Sequence, residues 1–121
     1  MTGVWNETKR TVVAEELQVA DNIWSRFWGL LGRRSLPEGH GLLLRPSSSI
    51  HTAFMRFTID VVFLDKEDRV VKVAPQVKPF RVASALGGAH SALELPAGAA
   101  AQARVEQGDQ LVMTEHIDED R

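Results

Sequence analysis

The sequence predicts a mainly β fold of the α+β kind: a compact antiparallel β-barrel or sandwich with one α-helix in its N-terminal half and one short second helix. Three observations carry this expectation. Short stretches rich in β-branched and aromatic residues dominate the chain, the segments joining them are short, and no regular strand–helix–strand alternation is visible. The 121 residues match one domain, read as 1–121 with a compact core over about 11–114 and an acidic tail over 115–121.

Taken in order, residues 11–19 open with Thr11, Val12 and Val13 and then carry Glu15 and Glu16, the pattern of an outer strand. A helix is expected next. Asp21 suits its N-cap, and Ile23, Trp24, Phe27, Trp28, Leu30 and Leu31 recur at three- and four-residue intervals. Gly32 stands where a helix-ending glycine belongs, followed by Arg33 and Arg34 near the negative end of the dipole. After the loop around Pro37 and Gly39, residues 41–44 read as a short apolar strand. Residues 50–65 form the longest stretch of high β-propensity, with apolar residues on both faces from Ile59 to Leu64, the sign of a strand buried on both sides. Asp65 to Asp68 make a hairpin turn, and 69–74 return antiparallel. Pro75 to Pro79 are expected to break the pairing and 80–83 to resume it. Residues 90–95 form another strand, Pro96 starts a short helix reaching about Ala103, and 110–114 close the sheet.

Composition narrows the function. There is no cysteine, which excludes disulfides, Fe–S clusters, thiolate zinc sites and a cysteine nucleophile. The start lacks a basic flank followed by an apolar run, and no long apolar segment exists, so a soluble cytoplasmic protein without membrane insertion is expected. The net charge of −2 is uneven: residues 26–56 sum to +4 and residues 106–121 to −5. The balance argues against a nucleic-acid partner, while the basic stretch is either a set of dispersed surface arginines or an anion site.

Four segments carry a family resemblance. They are Gly29 to Arg33 with Leu36, Gly41 to Leu44, His51 to Asp65, and Leu93 to Gly98 with Gly108 and Asp109. Together they resemble the bacterial and archaeal family named domain of unknown function 192, over about Thr11 to Thr114. Thr58 stands where that family's usual pattern has proline, and Ala53-Phe54 where a phenylalanine–glycine pair is common. The resemblance implies a compact β-rich fold and no established activity.

The candidate chemistry centres on ionisable residues inside the most apolar stretch. Asp60 is read either as a structural acid accepting backbone or Arg56 hydrogen bonds, or as a catalytic base. His51 is read either as a hydrogen-bonded structural residue or as its acid/base partner. Arg56, Arg33, Trp24, Trp28 and Met55 are the candidate ligand-binding residues, with arginine as a fork for an anion and tryptophan as an apolar wall. The tryptophans read as core or lid residues ahead of a cofactor box, because aromatic residues at helical spacing usually face a core. His40, His51, His90 and His116 show no paired spacing for a metal, so no metal and no cofactor are expected. Three functions follow: a module binding a small anion or a peptide terminus, a small hydrolase or lyase using His51 and Asp60, or a protein-interaction module.

Overall fold

A computed structural model describes residues 3–20, 36–51, 57–85 and 87–114, and of His51 the backbone. Ten strands and one short helix lie within them: β1 (Gly3–Asn6), β2 (Thr11–Ala14), β3 (Glu16–Ala20), β4 (His40–Leu44), β5 (Ser49–His51), β6 (Ile59–Leu64), β7 (Val70–Val77), β8 (Val82–Ser84), β9 (Ser91–Pro96), α1 (Ala99–Gln102) and β10 (Leu111–Thr114). The protein is mainly β, as its residue pattern predicts. The strands form three open sheets, ordered β10-β1-β2, β3-β4-β9-β6-β7 and β5-β8, and no closed barrel is found among the described residues.

The five-stranded sheet is the frame. All six residues of β6 are buried, and successive side chains point to opposite faces. Val62 and Leu64 join Leu43, Leu93 and Leu95 on the first face, where they pack with Val4, Val13, Leu111 and with Ala99 and Ala100 of α1. Ile59, Val61 and Phe63 join Leu42, Leu44 and Ala92 on the second face, with Ile50 of β5 and Ala83 of β8 against them. The continuous apolar run is thus explained by burial on both sides.

Four expectations change. The sheet is not wholly antiparallel, because β3 and β4 run parallel, with Leu17 opposite Gly41 and Val19 opposite Leu43. A parallel pair requires a long crossover, and residues 21–39 supply it. The helix expected from Asp21 to Gly32 lies in that crossover, outside the described residues. Residues 50–65 are not one strand: β5 pairs with β8, whereas β6 pairs with β7 and β9. Pro75 does not end its strand. It lies in β7, an edge strand where a missing N–H costs no ladder bond. The expected pairing of 80–83 resumes, but with β5 in a separate sheet. Strand β1, ahead of the first segment read as strand, is buried throughout and pairs with both β2 and β10.

Candidate functional site

Asp60 sits on the first face of the sheet, opposite Leu95, and is 1% exposed. Its Oδ1 accepts the Gln76 N–H at 2.8 Å. Its Oδ2 accepts the N–H groups of Gly98 at 3.1 Å and Ala100 at 2.9 Å. Gln76 belongs to the irregular step between β6 and β7 and adopts a left-handed φ of 50°. Gly98, at φ 90°, precedes α1 and offers no side chain to cap it. Asp60 therefore does two local jobs: it fixes a bulge in β7 and caps a helix start from a distant strand. A carboxylate bonded to three N–H groups is well satisfied where it is.

His51 ends β5, with its backbone opposite Val82 of β8. The β5–β8 pair packs through Ile50 and Ala83 on the second face, whereas the Asp60 carboxylate meets α1 on the first. His90 lies just before Ser91, which is opposite Leu64, while Asp60 is opposite Leu95. The five-residue offset along β9 puts about 17 Å between them at the usual strand rise. Trp24, Trp28, Arg33, Met55 and Arg56 lie outside the described residues. Among the described residues, no group of three or more metal-ligating side chains gathers.

Strands β5 and β8 are drawn from two segments that carry more basic than acidic residues in the sequence. Residues 69–93 contain Arg69, Lys72, Lys78 and Arg81 and no acid. Strand β5 comes from segment 26–56 and pairs with β8 of segment 69–93, and Arg45, the described arginine of the first segment, forms an ion pair with Asp68 at 3.2 Å. The Lys72 ammonium donates to the Ser84 carbonyl at 2.6 Å, tying β7 to β8. Beside this contact opens a recess of about 600 Å³, lined among others by Lys72, Ser84, Gly87, Gly88 and Gln107. Open space surrounds the position a Cβ would take at Gly87 and Gly88, so backbone groups there are reachable.

Glu94 is a residue that the sequence reading did not single out. It is 4% exposed, lies on the central strand β9, and stands on the second face between Leu42 and Val61. The signal for it was a lone acid between two leucines in a strand apolar on both sides. Burying a carboxylate there is tolerated only where partners offset the loss of hydration.

A small mainly β domain built on a sheet buried on both faces defines the class. The chain belongs to the domain of unknown function 192 family, described as an uncharacterized ACR, whose model matches residues 4–113. A UPF0127 protein of Pyrococcus abyssi is 33% identical over 112 residues, covering 88% of this chain and 92% of that protein. One from Pyrococcus furiosus is 35% identical over 113 residues, covering 88% and 93%. A crystal structure of a protein of unknown function from Novosphingobium aromaticivorans superposes with a TM-score of 0.78 at 21% identity, covering 92% of this chain and 82% of that one. This last likeness is one of fold.

Proposed function

We propose that the protein is a non-catalytic binding module that takes a small anionic ligand or a peptide carboxyl terminus on its β5–β8 side. The observation that carries the reading is the β5–β8 pairing, which joins the basic segment 26–56 to the acid-free basic segment 69–93. In this reading Arg56 and Arg33 supply forks for the anion, His51 a further donor, and Trp24, Trp28 and Met55 the apolar wall. Lys72 and the Gly87–Gly88 backbone extend the same basic side. The domain is one unit over 1–121, layered as a sandwich about the five-stranded sheet, and works in the cytoplasm without nucleic acid. Among the described residues no helix is long and apolar enough to cross a membrane.

The hydrolase or lyase reading requires His51 and Asp60 to converge on one substrate. It is disfavoured because the Asp60 carboxylate is held by three N–H groups on the face away from β5. The test is a fluorescence titration with inorganic phosphate and small carboxylates, following the tryptophans at low and high salt. Saturable quenching that weakens in Arg56→Ala and with added salt supports the module, since screening acts over ~8 Å near physiological ionic strength. An undiminished response in Arg56→Ala, or none in the parent, removes it and leaves a protein-interaction role ahead.

A further inference from the structure

A second cleft lies along the edge of β2. Among the described residues β2 pairs with β1 alone in the three-stranded sheet, so alternate residues turn backbone N–H and C=O groups away from it. That free edge borders a cleft of about 680 Å³, whose opposite wall is built by Pro96 to Ala99 and by Gln102 and Ala103 of the α1 turn. The volume lies within the range of ordinary ligand sites. Edge strands are commonly protected by charge, proline or bulges. The edge strand β7 carries Pro75 and Lys72, and β3 carries Glu16. Strand β2, Thr-Val-Val-Ala, carries neither charge nor proline; its pairing with β1 slips by one residue at Val13, and Val12 is 39% exposed.

The charge of the cleft states what it would accept. Among the described residues its lining contains no lysine or arginine, and the charged ones are Glu15 and Glu38, both exposed. They are brought together by the backbone: the N–H groups of Glu15 and Glu16 both donate to the Gly39 carbonyl, at 2.7 and 2.9 Å. The loop bearing Glu38 is thereby held at the end of β2. At the other end the Thr11 hydroxyl donates to the Ala103 carbonyl at 2.7 Å, which ties α1 to the strand and closes the cleft there.

We propose that β2 accepts an extended peptide segment of a partner protein as an added strand, with a lysine or arginine of that segment meeting Glu15 and Glu38. Main-chain hydrogen bonds to the β2 edge supply affinity, and the acidic end supplies selection by charge. The preference is opposite in sign to that of the anion site, so the two fail independently.

The probe is an acetylated, amidated heptapeptide of alternating valine and lysine, titrated into isotope-labelled protein while backbone amides are followed by NMR. The expected result is saturable shifts confined to residues 11–15, 38–39 and 96–103. Alternating valine and glutamate should not produce them, nor should free lysine at the same concentration. N-methylation of alternate peptide amides should abolish binding, and Glu15→Lys with Glu38→Lys should weaken it by about tenfold or more, as like-charge juxtaposition does. Equal binding of the glutamate or the N-methylated peptide, a matching response to free lysine, or no shift at millimolar peptide overturns the proposal. Shifts of the same amides on concentrating the protein alone would assign the edge to a second copy instead.

Discussion

Asp60 divides its two oxygens among three backbone N–H groups contributed by β7, by Gly98 and by α1. Asp60→Leu leaves three donors without that acceptor in a site closed to water, and should cost about 1–3 kcal/mol or more. Urea unfolding measures it, and a variant as stable as the parent contradicts the structural role. Asp109 works in the same way at the opposite end of the molecule. Its carboxylate accepts from the Asn6 amide at 3.0 Å, the Lys9 ammonium at 2.9 Å and the Glu106 N–H at 3.0 Å. Burial alone would raise its pKa, but these hydrogen bonds and the Lys9 charge outweigh burial and hold it below the ordinary aspartate value. The folded state then binds its proton less readily than the unfolded chain does. The resulting stabilisation is complete above the unfolded value of 3.8 and is lost as pH falls through that value toward the depressed one. Asp109→Asn should accordingly be less stable than the parent at pH 7 and show a shallower loss of stability on acidification below about pH 4. Parallel acid titrations of both proteins by circular dichroism check this, and identical slopes contradict it.

At the scale of elements, what could be read in advance depended on how local the cause was. Strand β6 was legible because five of its six residues, all but Asp60, are apolar and strand-forming, although it was run together with β5, and the hairpin after it because Asp65 to Asp68 carry turn chemistry. There the Asp65 Oδ1 accepts the N–H groups of Glu67 and Arg69, both at 2.9 Å. Pro75 was misread because the cost of proline depends on which side of a strand is paired, and its sequence does not say that β7 is an edge. The parallel β3–β4 pair and β1 were missed for a related reason: each is stabilised by partners far along the chain, such as the Asn6–Asp109 bond across 103 positions. The acidic character of Asp60 was visible, but its partners at residues 76, 98 and 100 were not. Helix α1 is only four residues long, too short to persist without its cap and packing. Gly98 before it holds φ at 90° with open space about its Cβ position. Gly98→Ala should therefore destabilise through backbone strain alone, by about 1–2 kcal/mol. Calorimetry of the variant measures this, and an unchanged melting temperature contradicts it.

For the whole molecule, two apolar clusters on opposite faces of one sheet form the core. Side-chain networks such as Asn6–Lys9–Asp109 tie the first strands to the last turn. A fold held in this way should not depend on metal. The melting temperature should stay unchanged after exhaustive chelation, because a structural ion would otherwise withdraw its binding free energy from folding; a clear fall would reveal such an ion. The candidate anion site is likewise a property of the whole chain, since its two segments are separated in sequence and meet through pairings such as β5 with β8 and β4 with β9. The most direct measurement is an amide-resolved NMR titration with inorganic phosphate at low and high salt. The account predicts saturable shifts clustered at residues 49–60 and 69–90 and in the segment 21–35, weakened by salt and by Arg56→Ala. Shifts scattered over the surface, or a cluster that is indifferent to salt and to Arg56, would contradict it.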